Sequence, residues 1–487
     1  MTTATFQVPV DGLHQLSNET RMIATPWSRM VRGIGLGQHP VDYSPQAAAW
    51  IRHTFDLLTA KGVERSAYTR FSRLLAELVL TVADPARRWY RSDVERALGP
   101  ILDAVRAEEN PYFRLMAGCI LMDAFAKLGL DVDLLVNAGT DFPAEMLAVV
   151  DAIEPDRIKD ENAGRHGHYE KLSSYSAVFL AIGQLGLKER LVDGHRNHVR
   201  EALGLLESIP APFFRGRGGA MLLSVVSLLG YQRFISGEGR DHIKEVLTYL
   251  DRADELDNPP AFPQPMSEAF VRIYPLLTML NAIAMSGRPE EYLSHGRDRL
   301  AQAEELMGRI TPIERTHMGL YYLVALHNLG RLDDRIPDLD AFVEDVVGQW
   351  EHIDPGANYF LNGISYAYVL QTAMLTGRMD LVGDRTLDRL VDSFPDLDRS
   401  PDDRVNRPYP FAYTLNVLGE TGSAHLLFEP RDAYGGSTPI AWVIDRLSEG
   451  GEEEHRLYML NHALVSYALR MRGPERGETP LFRSLLL

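Results

Sequence analysis

Glycine residues punctuate this chain of 487 residues at intervals of about fifty, each after an apolar stretch and before a charged one. The glycines in this position are Gly129, Gly186, Gly237, Gly287, Gly330, Gly377 and Gly419. A glycine there supplies the left-handed residue that ends a helix, and the acidic residues that follow suit the next helix N-terminus. Each interval has room for two helices of about 15–20 residues and their connections. The spacing therefore predicts helical hairpins packed side by side.

The two helices of each predicted hairpin differ in composition. The stretches that lead into the glycines, such as 175–185 and 269–285, are apolar on all sides, whereas partners such as 290–307 alternate charged and apolar residues. One helix buried all round and one buried on a single face indicate two layers. We therefore predict an all-α fold of two-layer helical-hairpin repeats with at least about 60% helix. We expect the hairpins to close as an α/α toroid, and an open α-solenoid is the alternative.

Residues 1–50 are predicted to form an N-terminal extension that packs on the body, and residues 51–487 a single repeat domain. The net charge of −17, without any basic run, would repel a phosphate backbone and argues against nucleic acid as a partner. The longest apolar runs are too short to span a bilayer, and the N-terminus lacks the pattern of a secretory signal. We therefore expect a soluble, cytoplasmic protein without membrane insertion, and the sequence leaves oligomerisation open.

The single cysteine, Cys119, lies in an apolar run, where a small buried hydrophobic residue is the simplest interpretation. The most unusual segment is 212–219, where two arginines stand between glycines just before an apolar stretch. Read as a loop, it would bring the guanidinium groups of Arg215 and Arg217 to a phosphate or carboxylate. The alternative is a glycine-rich turn with solvated arginines.

A second segment, 396–409, packs four carboxylates and three arginines between two apolar stretches. Its arginines are candidates for clamping a diphosphate, and its carboxylates are candidates for holding Mg²⁺. The alternative is a solvated loop whose residues 400–403 cap a helix. The residues that we predict here are Arg404, Arg407 and Tyr409 for substrate binding, and Asp398, Asp402 and Asp403 for the metal.

The apolar helices are rich in tyrosine and asparagine and contain almost no carboxylates. A tyrosine-lined pocket would bind an apolar or cationic group, although an aromatic stripe is more often part of a core. We predict that Tyr359 contacts the substrate and that the catalytic residues are His317, Tyr321, Asp402 and Asp403. A lone histidine on such a helix is more often a hydrogen-bonded core residue.

Isoprenoid cyclases, α/α-barrel glycosidases and polysaccharide lyases resemble the predicted toroid in architecture. The DDxxD and DxDD patterns of the isoprenoid cyclases are absent from the chain. A glycosidase would need two facing carboxylates, and Glu268 is the one that we assign to an apolar helix. We therefore predict an enzyme of the lyase or cyclase type that acts on a small apolar anion such as an isoprenoid diphosphate. The alternatives are a scaffold that binds a protein partner and a carbohydrate-active lyase or hydrolase.

Overall fold

The computed structural model describes residues 6–8, 41–61, 67–137, 139–160, 167–237, 239–252, 267–352, 359–395, 414–415, 418–419, 422–448 and 454–472. The structure is 77% helical with a few short strands, which confirms the all-α prediction. The helices are α1 Pro45–Ala60, α2 Ala67–Ala83, α3 Arg91–Ala107, α4 Pro111–Leu128, α5 Phe142–Asp151, α6 Gly167–Gln184, α7 His198–Gly204, α8 Pro212–Leu228, α9 His242–Asp251, α10 Glu268–Met285, α11 Arg299–Met307, α12 Pro312–Asn328, α13 Leu332–Arg335, α14 Leu339–Gly348, α15 Tyr359–Leu375, α16 Asp384–Asp392, α17 Pro439–Ser448 and α18 Glu454–Arg470.

Short 3-10 helices lie in the connections: Val132–Leu134, Pro155–Arg157, Lys188–Leu191, Leu205–Ser208, Gln232–Phe234, Pro289–Gly296, Gln349–His352, Met379–Leu381, Ala424–Leu427 and Asp432–Tyr434. The strands are β1 Phe6–Val8, β2 Val41–Asp42, β3 Val136–Asn137, β4 Thr140–Asp141, β5 Ile158–Asp160, β6 Ser236–Gly237, β7 Arg240–Asp241 and β8 Met471–Arg472. β3 with β4 and β6 with β7 form tight antiparallel hairpins, each ending at the start of an outer helix. β1 with β5 and β2 with β8 pair in parallel and join distant parts of the chain.

The helices form two layers, as the composition predicts. The described inner layer contains α2, α4, α6, α8, α10, α12, α15 and α18. Along the chain from α2, each inner helix packs against the next inner helix, as far as the contact of α12 with α15. The outer layer contains α1, α3, α5, α7, α9, α11, α14, α16 and α17. Inner helices such as α4 and α8 are buried along nearly their whole length because their apolar residues face both layers.

The last helix, α18, packs against α2 at the beginning of the chain. Asn461 Nδ2 donates a hydrogen bond to Thr69 Oγ1 over 2.8 Å, and Tyr68 Oη lies 3.4 Å from His462 Nδ1. These two contacts join side chains that are 392 and 394 residues apart in the sequence. Near the N-terminus, α1 spans Pro45–Ala60 and so crosses the predicted boundary between residues 50 and 51.

Five of the predicted glycines have the left-handed conformation that ends a helix: Gly129, Gly186, Gly287, Gly330 and Gly377. The predictions for Gly237 and Gly419 are wrong. Gly237 lies in the hairpin strand β6, and the left-handed residue after α8 is Gly230, with φ of 81°. Gly419 packs closely against another helix, since a Cβ there would lie 2.6 Å from the ring of Tyr467. Gly422, with φ of 77°, has the left-handed conformation in that part of the chain.

A short motif, Pro-x-x-Arg-x-x-x-Gly, begins three of the inner helices, at residues 111–118, 212–219 and 312–319. The proline takes the first helical position, where no backbone N–H is needed. The arginine donates to carbonyl oxygens at the end of the preceding outer segment. Arg114 Nε reaches Val105 O at 3.4 Å, Arg215 Nε reaches Ile209 O at 2.6 Å, and Arg315 Nη2 reaches Met307 O at 3.4 Å.

The glycine of the same motif allows the following outer helix to approach closely. A Cβ on Gly118 would lie 2.1 Å from the sulfur of Met146, and one on Gly319 would lie 2.7 Å from a methyl of Val346. Because real Cβ atoms do not approach so closely, only glycine allows the packing at these positions. The motif therefore joins each of these inner helices to the outer segments on both sides.

Ion pairs join the outer parts of neighbouring hairpins. Arg288 contacts Asp241 at 2.8 Å, Arg335 contacts Glu304 at 3.1 Å, and Arg190 pairs with Asp141. In the described part of the chain, no helix is long and apolar enough to cross a bilayer. The side chain of Cys119 is buried, as predicted.

Candidate functional site

The segment 212–219, predicted as a loop, is the first two turns of α8. Pro212 begins the helix, and the glycines are tolerated because they face closely packed neighbours. A Cβ on Gly216 would lie 2.6 Å from Leu250, and one on Gly218 would lie 3.1 Å from the ring of Tyr169. Arg217 is therefore held on a helix that is tightly packed on both sides of it.

Arg215 and Arg217 lie on opposite faces of α8, because two residues along a helix are separated by roughly 200°. Arg215 donates to the carbonyls of Ile209 and Glu207 and lies 4.3 Å from the ring centroid of Tyr249. These contacts belong to the repeated motif. Arg217 points to the inner layer and is only 8% exposed. Of the two arginines, Arg217 is the one whose charge is buried among inner helices.

Arg217 begins a path of polar groups that crosses the inner layer. Its Nη2 donates to Tyr274 Oη over 3.0 Å, and its guanidinium carbon lies 4.9 Å from the centroid of that ring. Tyr274 Oη lies 3.5 Å from Tyr321 Oη on the next inner helix. Arg217 and Tyr274 are buried, whereas Tyr321 retains exposed surface. Tyr321 is therefore the member of the path that solvent or a ligand can reach.

The path continues from Tyr321 to α15. The rings of Tyr321 and Tyr368 lie 6.2 Å apart, and the imidazole of His317 stacks on Tyr368 at 4.4 Å. His317 Nε2 lies 2.9 Å from Ser365 Oγ, at hydrogen-bonding distance. His317 and Tyr321 are four residues apart on α12 and so share one face of that helix. We define the aromatic path as Arg217, Tyr274, Tyr321, Tyr368, His317 and Ser365.

The aromatic path combines one cation with hydroxyl and imidazole groups. The guanidinium group offers five N–H donors and cannot be deprotonated. Because the Tyr274 hydroxyl accepts from this cation, its own proton is available to a neighbouring oxygen. The imidazole of His317 is a group that can donate or accept a proton. The arrangement can therefore bind an anion and move a proton beside it.

The inner helices carry more carboxylates than the sequence analysis assigned to them. Asp123 on α4, Glu170 on α6 and Glu314 on α12 are all buried. Glu314 caps two helices, because it accepts from Ser267 N at 2.8 Å and from Thr311 N at 2.9 Å. Glu170 was missed because α6 begins at Gly167, well before the apolar stretch that marked it. The inner helices therefore do not lack the carboxylates that a glycosidase needs, contrary to the expectation from the sequence.

Six of the predicted site residues lie outside the described residues: Asp398, Asp402, Asp403, Arg404, Arg407 and Tyr409. Tyr359 is the first residue of α15, and its side chain is also outside the described part. Of the predicted set, the structure brings Arg217, His317 and Tyr321 together. Arg215 is held apart from them by its contacts at the outer layer.

Tyr274, Tyr368 and Ser365 were not predicted as site residues, although the sequence contains a signal for two of them. Tyr274, Tyr321 and Tyr368 recur every 47 residues. Arg217 and His317 both stand two residues after the arginine of a Pro-x-x-Arg-x-x-x-Gly motif. Aligning the motifs would have placed both side chains on the same face of their helices and would have separated them from Arg215 and Arg315.

No protein-family model, no curated protein sequence and no solved structure matches the chain significantly. The geometry of the site is therefore the basis on which a function can be proposed.

Proposed function

We propose that the protein is an enzyme of the lyase or cyclase type that binds a small, largely apolar anion at the aromatic path. Arg217 and the hydroxyls of Tyr274 and Tyr321 bind the anionic group, and His317 transfers a proton. An isoprenoid diphosphate is the representative of this substrate class. The carrying observation is the buried guanidinium of Arg217, which donates to Tyr274 and leads to the partly exposed Tyr321.

The burial of Arg217 supports the anionic part of this proposal. Arg217 is buried, and its guanidinium group donates to the phenol of Tyr274, which leads to the partly exposed Tyr321. A diphosphate or carboxylate beside Tyr321 would be attracted by this buried cation. Arginine also matches the geometry of these anionic groups.

The aromatic rings around the site support the apolar part. Phe270 and Tyr274 have ring centroids 5.8 Å apart, and Phe213 lies 6.5 Å from Tyr274. Tyr321 and Tyr368 add two further rings. Such rings pack against an apolar chain and stabilise a cation that forms when a diphosphate leaves.

We further propose that the hairpins close as an α/α toroid around this site. The packing of α18 on α2, with the Asn461–Thr69 hydrogen bond, supports closure because it joins the two ends of the inner layer. A closed ring would exclude water from the aromatic path, as a reactive cation requires.

The test measures binding of geranyl diphosphate to the full chain by calorimetry, with inorganic pyrophosphate and geraniol as separate ligands. Arg217→Gln should weaken the affinity for geranyl diphosphate about ten- to a hundredfold, because one charge-assisted contact contributes about 1.5–3 kcal/mol. Tyr274→Phe should weaken the affinity less, because this variant removes only one hydroxyl oxygen. Equal affinity of wild type and both variants would refute the proposed site.

Arg215→Gln is the matched control, since it lies on the same helix and carries the same charge. It should lower the thermal stability and leave the affinity unchanged. For turnover, pyrophosphate release is followed with Mg²⁺ present. His317→Gln should abolish release without changing the dissociation constant, because the imidazole acts on the reaction and not on the anion.

A carbohydrate-active lyase or hydrolase is the second candidate, and the buried carboxylates Asp123 and Glu170 favour it. They lie on the neighbouring inner helices α4 and α6. Binding of neutral oligosaccharides, lost in Glu170→Gln and retained in Arg217→Gln, would favour this candidate over the first.

A further inference from the structure

Three potential metal ligands lie close together in the outer layer, between α5 and α7. Asp151 ends α5, while His198 and Glu201 lie on α7. One carboxylate oxygen from each acid and one imidazole nitrogen all lie within 4.8 Å of one another. Among the described residues, no other group of three His, Cys, Asp or Glu side chains has this geometry. One imidazole and two carboxylates are a ligand set that zinc and related cations accept.

The imidazole of His198 gives independent evidence of a ligand. His198 is only 7% exposed, and its buried Nδ1 has no hydrogen-bond partner in the structure. This Nδ1 lies 3.8 Å from Asp151 Oδ1, which is too far for a hydrogen bond. Buried nitrogen atoms rarely lack a partner, so the position requires an explanation.

His242 offers a direct comparison, because it begins α9 as His198 begins α7. Both are preceded by a residue whose side chain caps the helix, Asn197 and Asp241. His242 Nδ1 lies 2.9 Å from Glu245 Oε2, so that its nitrogen is satisfied. At equivalent positions of two hairpins, the Nδ1 atom of His242 therefore has a hydrogen-bond partner and the Nδ1 atom of His198 has none.

Neighbouring side chains contact both the carboxylate and the backbone of Asp151. Tyr175 Oη donates to Asp151 Oδ1 over 2.5 Å. Lys171 Nζ donates to the backbone oxygens of Asp151 and Ile153, each over 2.9 Å. Groups of this kind orient metal ligands in known sites and increase their affinity.

Arg196 occupies the space between the two carboxylates. It pairs with Asp151 and contacts Glu201 Oε2 at 2.6 Å. Its side chain is 42% exposed, so it can rotate into solvent when a cation enters. The two carboxylates carry two negative charges, which a divalent cation neutralises fully and one guanidinium only half.

We propose that Asp151, His198 and Glu201 form a binding site for a divalent transition-metal ion, with Zn²⁺ as the representative, and that Arg196 replaces the cation when it is absent. The site is separate from the aromatic path. Because it joins α5 to α7, a bound cation ties two neighbouring hairpins together.

The test titrates Zn²⁺ into the chelator-treated full chain by calorimetry. Binding of one Zn²⁺ that raises the melting temperature is expected, with little binding of Mg²⁺, because magnesium prefers oxygen ligands. His198→Gln should weaken zinc binding at least about tenfold, and the matched variant His242→Gln should leave it unchanged. Arg196→Gln should strengthen it, because the competing cation is removed.

Co²⁺ provides a second readout that does not depend on stability. Its visible absorption should show nitrogen coordination in the wild type and in His242→Gln, and that feature should be lost in His198→Gln. Absence of Zn²⁺ binding, or binding that persists in both His198→Gln and Glu201→Gln, would overturn the site. An affinity that does not rise in Arg196→Gln would overturn the role of Arg196.

Discussion

The outer and inner layers of this protein use arginine in opposite ways. In the outer layer, Arg190, Arg288 and Arg335 each pair with a carboxylate from the neighbouring hairpin. In the inner layer, Arg217 contacts the hydroxyl and ring of Tyr274. The outer pairs neutralise charge locally and recur from hairpin to hairpin. The inner contact places a guanidinium group beside an aromatic ring and its hydroxyl.

The repeated motif shows how one scaffold can hold both arrangements. Its proline, arginine and glycine are the same in three inner helices. Two residues after the motif arginine, the three helices carry Met116, Arg217 and His317. The constant positions face the outer layer and hold the helices together. The varying position faces the inner layer, where a change of side chain alters chemistry without disturbing those contacts.

The largest expected effect is at the ion pair of the outer layer that is most buried among the described residues. Arg299 is 1% exposed and its Nη2 contacts Asp251 Oδ2 at 2.8 Å. Asp251→Ala should lower the free energy of unfolding by about 3–5 kcal/mol, because it leaves a buried cation without its main partner. Urea denaturation measures this loss.

Glu77→Ala is the matched control for an exposed pair, since Glu77 contacts Arg52 at 2.8 Å with both side chains near half exposure. It should lower the free energy of unfolding by less than about 1 kcal/mol. If Asp251→Ala and Glu77→Ala lowered the free energy of unfolding equally, burial would not determine how much an ion pair stabilises this protein.

An intermediate effect is expected at the motif glycine. Gly319→Ala should cost about 1–3 kcal/mol, because its Cβ would lie 2.7 Å from Val346 and the two layers would have to separate. Gly204→Ala is the control: its backbone is helical, with φ of −64°, and a Cβ there meets nothing within 4 Å. That change should stabilise by about 0.4–1 kcal/mol through the unfolded state. Loss of stability in both variants would argue against the close-contact explanation.

The smallest expected effect is a pH dependence at His242. Burial lowers the pKa of His242 below its usual value, although Glu245 opposes this shift. As pH falls through about 6.5, the unfolded chain takes up a proton that the folded imidazole resists, so the stability should fall. His242→Gln should therefore reduce the loss of stability between about pH 7.5 and 5.5. An unchanged pH profile in this variant would show that His242 does not contribute to it.

Much of the fold was predictable because it depends on local rules. Five of seven glycines end helices as expected, since a left-handed conformation next to an apolar stretch is a local property. Gly237 and Gly419 were misassigned because the sequence alone does not distinguish a helix-ending glycine from one that a tight hairpin or a close neighbour requires. The segment 212–219 was misread for a similar reason, because packing, and not helix propensity, holds its glycines in a helix.

The candidate site was less predictable than the fold. Arg217, His317 and Tyr321 were named from the sequence, but their connection through Tyr274 and Tyr368 depends on contacts between different inner helices. The group of Asp151, His198 and Glu201 was missed because Asp151 lies in another hairpin, so that only the packing between hairpins brings the three side chains together.

The helical hairpins and their two layers follow from the amino-acid sequence, because glycine conformation, capping and apolar periodicity act within a few residues. The contacts of Arg215 with backbone carbonyls, the contact of Arg217 with Tyr274 and the packing of α18 on α2 do not follow from it. These contacts depend on which faces of distant helices meet. The same side chain therefore becomes a structural contact or a ligand-binding group according to the neighbours that packing brings within a few ångströms of it.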